Sequence, residues 1–180
     1  MEGNELLSIC IPTFNRANCL KALLAGLARE LRQHNIGPEQ VKIYILDNCS
    51  PDRTLSVVES FGDLPHLSCQ RNTSNIGADR NIVRAYSIAR GKYTWVIGDD
   101  DGIVPGALPV LLSALDLYEP GLVINTCRMD AYGFRVPVRF QDYKMFMEMA
   151  LSTNPFGLIA HSLITANVVR NDCFDRAIAE

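Results

Sequence analysis

The chain has 180 residues, of which 48% are hydrophobic and 21% are charged, a composition ordinary for one globular domain with a sizeable core. Its formal net charge of -3 excludes the basic excess that a nucleic-acid-binding surface requires. Its longest apolar runs fall short of the about 20 residues of a membrane-spanning helix, and the run Leu6–Pro12 lacks the basic flank of a signal peptide.

Apolar runs and segments of helical periodicity alternate along the first two-thirds of the chain. The run Leu6–Ile11 predicts a buried strand, and leucines at helical spacing predict an amphipathic helix over residues 17–33. Val41–Leu46 predicts the second strand. Ser50 followed by Pro51 is typical of a helix start, so a short helix is predicted from this pair to Phe61.

The same alternation continues to about residue 126. A weaker strand is predicted at His66–Arg71, then a helix around residues 82–89, which Gly91 would end in a left-handed conformation. Tyr93–Ile97 predicts a central strand, residues 108–115 predict a helix, and Leu122–Thr126 predicts the last strand of the series.

This order of elements predicts an α/β fold with a mostly parallel central sheet and helices on both faces. Residues 1–127 form the α/β region in this interpretation, and the whole chain is a single domain. The pattern loosens over residues 128–180, where a helix is predicted only at Tyr143–Leu151.

Polar clusters follow four of the predicted strands. In an open α/β sheet, ligands bind in the crevice outside the carboxyl ends of the strands, so the clusters predict one site at that edge. They are Thr13–Arg16, Asp47–Asp52, Asn75–Asn81 and Gly98–Asp101.

The three adjacent carboxylates of Asp99, Asp100 and Asp101 predict a cation site. A divalent cation relieves their mutual repulsion, and oxygen ligands suit Mg²⁺ or Mn²⁺, which commonly bridge carboxylates to a substrate phosphate. If the strand continued through the cluster, alternation would bring Asp99 and Asp101 to the same side. The alternative is a solvated acidic turn.

Two arginines supply positive charge to the same edge. The guanidinium groups of Arg16 and Arg80 can each donate two hydrogen bonds to phosphate oxygens. The alternative is that each is a surface arginine or forms an ion pair with Asp52 or Asp79. Asp47 and Asn48 can hydrogen-bond a nucleobase or ribose, while turn formation is the alternative for Asn48. Gly77 predicts a tight backbone turn that a ligand can approach closely.

Several other classes of site are disfavoured. The three histidines lack metal-ligand spacing, and only His161 stays open as an acceptor-side residue. No Gly-x-Gly-x-x-Gly or Walker loop follows the first strand, which argues against NAD and P-loop proteins. Cys49 and Ser50 have no evident base nearby. The six cysteines contain no Cys-x-x-Cys pair, so we expect structural roles in a reduced cytosolic setting.

Four motifs in order resemble the family 2 glycosyltransferases, over about residues 6–127. The first two motifs are Ser8–Arg16 and Tyr44–Asp52, the latter similar to the family's second-strand aspartate motif. Asn75-x-Gly77 with Arg80-Asn81 resembles the stretch before the fourth strand, and Ala89–Tyr93 leading to Gly98–Asp101 resembles the approach to the Asp-x-Asp motif. The combination is similar to abequosyltransferase-like members that build bacterial surface polysaccharides.

The resemblance implies a GT-A nucleotide-diphospho-sugar transferase fold and sugar transfer to an acceptor hydroxyl with inversion. It also implies a divalent metal, Mn²⁺ or Mg²⁺, held by Asp99 and Asp101. The implied product is bacterial surface polysaccharide, either lipopolysaccharide O-antigen or capsule. The nucleotide-sugar site that we predict comprises Pro12, Thr13, Asn15, Arg16, Asp47, Asn48, Asn75, Gly77, Arg80, Asp99 and Asp100.

The chain departs from the family pattern in two respects. Many members carry a second aspartate where this chain has Asn48. The family's catalytic base follows a strand that His161–Val169 resembles, in a segment further along, so we expect the base beyond Glu180 and name none. Asp172 and Asp175 are weak substitutes. Residues 128–180 are therefore predicted to be a truncated start of the acceptor-side region.

The implied partners are a nucleotide-diphosphate sugar and a saccharide or lipid-linked saccharide acceptor, with no nucleic acid. The implied location is the cytoplasm, with peripheral association of the full enzyme at the inner face of the membrane. A non-catalytic or truncated nucleotide-sugar-binding module is the alternative. A nucleotidyltransferase is disfavoured because Pro12–Asn15 does not form its glycine-rich, arginine-containing loop.

Overall fold

The structure, a computed structural model of the chain, describes residues 5–124 and 167–172. Four α-helices and six β-strands lie in these two ranges. In chain order they are β1 Leu7–Thr13, α1 Ala17–Gln33, β2 Val41–Asp47, α2 Thr54–Glu59, β3 Leu67–Arg71, α3 Ala78–Ile88, β4 Tyr93–Val96, α4 Ala107–Tyr118, β5 Leu122–Ile124 and β6 Asn167–Arg170.

The strands form one sheet in the order β3-β2-β1-β4-β6-β5. The neighbours β3-β2, β2-β1 and β1-β4 are parallel, whereas β6 is antiparallel to both β4 and β5. This is the predicted α/β fold with a mostly parallel sheet. The strand that ends nearest the predicted acid cluster, β4, therefore lies in the interior of the sheet.

Alternating side chains of the central strands pack against helices on the two faces of the sheet. Ile9 and Ile11 of β1 belong to the larger core with the buried leucines of α1 and α4. Cys10, between them, packs on the opposite face with Ala85 of α3. Helices therefore cover both faces, as predicted, because each central strand buries both sets of its side chains.

The antiparallel strand β6 was not predicted at its position in the sheet. It lies between β4 and β5, with Thr94 opposite Val169 and Val123 opposite Val168. Residues of the predicted acceptor-side region therefore contribute to the same sheet as β1. The predicted helix Tyr143–Leu151, His161, Asp175 and the predicted boundary after residue 127 lie outside the described residues.

Helix α2 begins at Thr54, so the prediction that Ser50 and Pro51 start it was wrong. The Ser50 hydroxyl accepts a hydrogen bond from the Asn15 backbone N–H at 2.8 Å, and the Ser50 N–H donates to Asp47 Oδ1 at 3.0 Å. Ser50 thus joins two loops. Asp52 instead accepts from the N–H of Thr54, at 2.9 Å.

The predicted left-handed conformation of Gly91 was also wrong. Helix α3 ends at Ile88, and among the described glycines only Gly77 and Gly106 have a positive φ. The Ser8 hydroxyl accepts hydrogen bonds from the N–H groups of Arg90, at 3.1 Å, and Gly91, at 2.8 Å. Gly91 is required for close approach, because a Cβ there would lie 2.9 Å from the Ser8 nitrogen.

Replacing Gly91 by alanine is therefore expected to lower the free energy of unfolding by about 1–3 kcal/mol, since β1 and the segment before β4 would have to separate. Gly26→Ala is the matched control, because Gly26 lies within α1 and a Cβ there meets nothing within 4 Å. Gly26→Ala should raise the free energy of unfolding by about 0.5–1 kcal/mol. Urea denaturation measures both, and equal effects of the two substitutions would contradict the close-approach argument.

Candidate functional site

The four predicted polar clusters meet at the carboxyl edge of the sheet. Thr13, the last residue of β1, is in register with Asp47, the last residue of β2, and Asp47 is in register with Arg71 of β3. The Asn48 N–H donates to the Thr13 carbonyl at 2.9 Å, which extends the pairing by one residue. The loops after these strands therefore start at the same level.

The loop after β1 and the loop after β2 are also joined by side chains. Besides the contact between Ser50 and Asn15, Asp52 Oδ2 accepts from the Ala17 N–H, the first N–H of α1, at 3.0 Å. Although burial alone would raise the pKa of Asp52, hydrogen bonds from Thr54 and from the Ala17 backbone lower it. A carboxylate held at a helix N-terminus is stabilised by the helix dipole, so Asp52 fixes where α1 begins.

Asp99 is the centre of the acid cluster and contacts the loop after β1. Its Oδ2 accepts from the Thr13 hydroxyl at 2.7 Å, and its Oδ1 lies 3.4 Å from Arg16 Nη1. Only 6% of Asp99 is exposed. Burial raises the pKa of Asp99, while the hydrogen bond from Thr13 and the charge of Arg16 oppose that rise.

Asp100 contacts the same guanidinium nitrogen from the solvent side. Its Oδ2 lies 2.6 Å from Arg16 Nη1, and the Asp100 side chain is 58% exposed. The hydrogen bond to Asp100, followed by the charges of Asp99 and Asp100, raises the pKa of Arg16. Two carboxylates therefore face a single cationic group.

Asp101 lies in a turn and not in a continuation of β4. Strand β4 ends at Val96, and a turn follows in which the Asp101 N–H donates to the Gly98 carbonyl at 3.1 Å. Asp101 Oδ2 accepts from the Gly98 N–H at 2.9 Å. The strand therefore does not continue through the cluster, so alternation does not relate Asp99 to Asp101, and metal binding by Asp101 stays a prediction.

Asp47 and Asn48 lie below the surface of this edge. Asp47 is fully buried, its Oδ1 accepts from Ser50, and its Oδ2 is 3.1 Å from Arg71 Nη1. That Oδ2 has no hydrogen-bond partner, so the contact with Arg71 is an ion pair without hydrogen-bonding geometry. Arg71 also donates to the Ser50 carbonyl at 2.9 Å, which ties β3 to the loop after β2.

Asn48 connects the loop after β2 to the loop before α3. Its Nδ2 donates to Asn75 Oδ1 at 2.8 Å and to the Gly77 carbonyl at 3.3 Å. Its Oδ1 accepts from Asn72 Nδ2 at 2.8 Å and from the Ile76 N–H at 2.9 Å. These four bonds use the whole hydrogen-bonding capacity of an amide side chain. A direct contact of Asp47 or Asn48 with a nucleoside stays a prediction.

Replacing the buried residue Asn48 by alanine is expected to lower the free energy of unfolding by about 2–3 kcal/mol, because the mutation removes four hydrogen bonds and leaves the partly buried Ile76 N–H without its acceptor. Ser74→Ala, at an exposed position of the same loop, should change it by less than about 0.5 kcal/mol. Thermal and urea unfolding of the two variants and the wild type measure the difference. An Asn48→Ala protein as stable as Ser74→Ala would contradict the assigned connection.

Helix α3 begins after Gly77, whose carbonyl accepts a hydrogen bond from Asn48. Gly77 has φ +88° and ψ 159°, a conformation essentially confined to glycine, and a Cβ there would meet nothing within 4 Å. The position therefore requires glycine, and the close approach of a ligand to it stays a prediction. Arg80, in the first turn of α3, is exposed, and within residues 5–124 and 167–172 no hydrogen bond or ion pair holds it.

Phe14 was not among the predicted site residues. Its side chain is 40% exposed between Thr13 and Asn15, and Asn15 has a positive φ of 57°. A large aromatic residue within a polar strand-end cluster is a signal for ligand contact that the sequence analysis did not use. Pro12, by contrast, is a half-buried residue of β1.

Asp172 lies outside this edge. It forms an ion pair with Arg170 at 2.6 Å, and the Asn171 N–H bonds to the carbonyl of Lys92, at the start of β4. Because β6 is antiparallel to β4, the end of β6 lies beside the start of β4, at the amino end of β1 and β4. Asp172 is therefore at the opposite end of the sheet from Asp99.

The described residues hold no group of three or more histidine, cysteine, aspartate or glutamate side chains arranged to bind a metal ion. At this edge, the carboxylates of Asp99 and Asp100 both face the Arg16 guanidinium. Mg²⁺ is commonly bound through one or two carboxylates together with substrate phosphates. The donor set therefore fits a cation shared with a phosphorylated ligand.

Among the described helices, none has the length and apolar character to traverse a bilayer.

The chain is similar in sequence to known glycosyltransferases. The family model described as glycosyl transferase family 2 matches residues 8–168. Abequosyltransferase RfbV of Salmonella typhimurium is 34% identical over 113 residues, which are 62% of this chain and 33% of that protein. The poly(ribitol-phosphate) beta-N-acetylglucosaminyltransferase TarS of Staphylococcus aureus is 27% identical over 99 residues, 53% of this chain and 16% of TarS.

Two solved structures share the fold. The crystal structure of residues 1–349 of TarS in complex with UDP-GlcNAc superposes with a TM-score of 0.70 and 20% identity, over 96% of this chain and 47% of that one. The mannosyltransferase PcManGT of Pyrobaculum calidifontis, in complex with GDP-Man and Mn²⁺, gives a TM-score of 0.56 and 18% identity, over 67% and 35%. The chain spans a third of the length of RfbV and less than half of the TarS fragment.

Proposed function

The chain belongs to glycosyl transferase family 2, and from this membership we propose that it binds a nucleotide-diphosphate sugar at the carboxyl edge of its sheet. We further propose that the protein to which this region belongs transfers the sugar to an acceptor hydroxyl with inversion. The observation that carries the proposal is the convergence of Asp99 and Asp100 on one cationic group, the Arg16 guanidinium, beside Thr13 at the end of β1.

The cation is proposed to be Mn²⁺ or Mg²⁺, faced by Asp99 and Asp100. Asp101, which was predicted to bind the metal together with Asp99, lies in the same turn, where its Oδ2 accepts from the Gly98 N–H; its coordination of the cation stays a prediction. When bound, such a cation neutralises charge on the departing diphosphate. The complex of PcManGT with Mn²⁺ supports the use of a divalent metal in this fold.

The chain's own residues bind and orient the donor in this proposal. Arg80 contacts the diphosphate, because it is exposed and its fork matches phosphate oxygens. The open backbone at Gly77 lets the diphosphate approach closely. Thr13 holds the Asp99 carboxylate in one orientation through its hydroxyl. Asn15 and Asn75, both exposed at the rim, are proposed to hydrogen-bond the donor.

The nucleoside is proposed to lie between the loop after β1 and the loop before α3. The exposed ring of Phe14 offers a surface on which a nucleobase stacks, and stacking is tolerant of base identity. Pro12 and Thr13 form the floor at the end of β1. Asp47 and Asn48 act through the loops that they position, and direct contact with the base or ribose requires these buried side chains to turn outward.

The acceptor hydroxyl has to lose a proton during transfer, and a carboxylate general base is proposed for this step. Asp172, which pairs with Arg170, is not that base. We propose a saccharide or lipid-linked saccharide of a bacterial surface polysaccharide as acceptor, in the cytoplasm at the inner face of the membrane. The name of TarS, a poly(ribitol-phosphate) beta-N-acetylglucosaminyltransferase, supports a polymeric acceptor.

Product analysis tests the proposal. The purified chain is incubated with UDP-, GDP-, CDP- and dTDP-sugars and Mn²⁺, and release of nucleoside diphosphate is followed with and without saccharide acceptors. Metal-dependent release is the expected result for a chain that catalyses transfer by itself. Binding of the donor without release would favour the alternative of a nucleotide-sugar-binding module. Absence of both binding and release would contradict the proposal.

A further inference from the structure

Arg16 occupies the position at which the proposed cation would face the acid cluster. One guanidinium nitrogen, Nη1, lies 3.4 Å from Asp99 Oδ1 and 2.6 Å from Asp100 Oδ2. The Arg16 side chain is 50% exposed, and its backbone is the N-cap of α1 with no side-chain capping bond. Its side chain is therefore free to move without breaking a contact within the protein core.

The two carboxylates have few alternative oxygens for a metal ion. Asp99 Oδ2 is bound to the Thr13 hydroxyl, so Asp99 Oδ1 is the oxygen of this buried side chain that faces Arg16. A divalent cation coordinates oxygen at about 2.0–2.1 Å in the case of Mg²⁺. A guanidinium already within hydrogen-bonding distance of Asp100 Oδ2 leaves no space for that ion between the same oxygens. Repulsion between the two positive charges adds to the steric conflict.

A nucleotide-diphosphate donor would give the displaced guanidinium a new partner. The diphosphate arrives together with the metal at this edge, and arginine binds phosphate oxygens in a two-bond fork. We propose that Arg16 is an exchangeable counter-ion, which pairs with Asp99 and Asp100 in the metal-free protein and moves to the donor diphosphate when metal and donor bind. This inference rests on the proposed function, because it requires a diphosphate ligand.

The exchange makes binding of metal and binding of donor interdependent. Metal alone has to compete with Arg16 and leaves the guanidinium without a partner, so it binds weakly. When metal and diphosphate bind together, the metal pairs with Asp99 and Asp100, and the Arg16 guanidinium pairs with the diphosphate. Because coupling between two ligands is reciprocal, the donor also binds more tightly once metal is present. Arg16 thereby opposes occupation of the site by a metal ion without its donor.

The inference is tested by measuring how Arg16→Gln changes the affinity for Mn²⁺ alone and the affinity for a nucleoside diphosphate in Mn²⁺, which should change in opposite directions. Mn²⁺ alone is titrated by electron paramagnetic resonance, and UDP, GDP, CDP and dTDP are titrated by calorimetry in saturating Mn²⁺. Arg16→Gln is expected to bind Mn²⁺ alone about fivefold more tightly than wild type, the scale of an exposed ion pair. It is expected to bind the preferred nucleoside diphosphate about tenfold more weakly, because a charge-assisted fork is lost.

Two further variants separate the exchange from general effects of charge. Arg16→Lys keeps the charge without the fork, so its affinity for Mn²⁺ alone should stay near that of wild type while nucleoside diphosphate binds less tightly. Arg29→Gln removes one positive charge at an exposed position of the same helix and should leave both affinities unchanged. The melting temperature of each variant checks the fold.

The possible results distinguish this inference from the proposed function. If wild type binds a nucleoside diphosphate with Mn²⁺ but Arg16→Gln binds Mn²⁺ alone no more tightly than Arg29→Gln, the exchange is wrong and the proposed function stands. The exchange is also wrong if Arg16→Gln binds nucleoside diphosphate as tightly as wild type. If none of the proteins binds a nucleoside diphosphate with Mn²⁺, the proposed function fails and the inference fails with it.

Discussion

An Asp100→Asn protein is expected to bind its nucleoside diphosphate about a hundredfold more weakly than wild type in the presence of Mn²⁺, with an unchanged melting temperature. The carboxylate is 58% exposed and contacts only the surface residue Arg16 among the described partners, so folding does not depend on it. Its negative charge faces the proposed cation, which would lose one of the two carboxylates proposed to hold it. A hundredfold loss of affinity corresponds to about 2.7 kcal/mol. Calorimetric titration measures the change.

The matched control is Asp63→Asn. Asp63 is also exposed and also pairs with an arginine, Arg32, at 3.3 Å, but this pair joins the end of α1 to the loop before β3. The substitution should leave nucleotide affinity within about twofold of wild type, because surface ion pairs contribute roughly 0–1 kcal/mol. Equal affinities of the Asp100→Asn and Asp63→Asn proteins would remove the acid cluster from the site.

An Asp47→Ala protein is expected to lose about 2–4 kcal/mol of unfolding free energy and with it the joined arrangement of the loops. Asp47 is fully buried and holds the Ser50 N–H and the Arg71 guanidinium. Without the carboxylate, the buried Ser50 N–H has no acceptor and a fully buried side chain is replaced by a smaller one, which is strongly destabilising. Arg71, whose side chain is 38% exposed, keeps its hydrogen bond to the Ser50 carbonyl. Urea denaturation followed by circular dichroism measures the loss.

Asp79→Ala controls for removal of a carboxylate at the same edge. Asp79 is exposed in the first turn of α3, where its interaction with the helix dipole contributes about 0.3–1 kcal/mol. We expect a correspondingly small loss of stability for this variant. If Asp47→Ala were no less stable than Asp79→Ala, the buried aspartate would not be the connection between β2, β3 and their loops that the structure indicates.

Local sequence patterns were sufficient for the elements whose burial is periodic along the chain. Helix α1 spans Ala17–Gln33, as predicted, because its leucines repeat at helical spacing on the face that packs on the sheet. The position of β6 was not predicted, because its pairing with β4 depends on residues more than 70 positions apart in the chain. Hydrophobic periodicity contains no information about such a partner.

The site could be predicted to the level of the loops that form it. Parallel strands carry their carboxyl ends to one edge, so Thr13, Asp47 and the acid cluster were expected to lie close together, and they do. The individual partners could not be predicted, because they depend on turn geometry. A turn from Gly98 to Asp101 replaces the strand geometry at the acid cluster, and the loop before α3 takes up all the hydrogen-bonding groups of Asn48.

The central claim is that the loops after separate strands bind the diphosphate of a nucleotide sugar through a cation at the carboxyl edge of the sheet. A thermal-shift screen of UDP-, GDP-, CDP- and dTDP-sugars, each with and without Mn²⁺, tests it most directly. A ligand at about a hundred times its dissociation constant adds about 2.7 kcal/mol of stability. We predict that at least one nucleotide sugar raises the melting temperature by several degrees with Mn²⁺ and by much less without it. Melting temperatures unchanged by every nucleotide sugar in the presence of Mn²⁺ would contradict the claim.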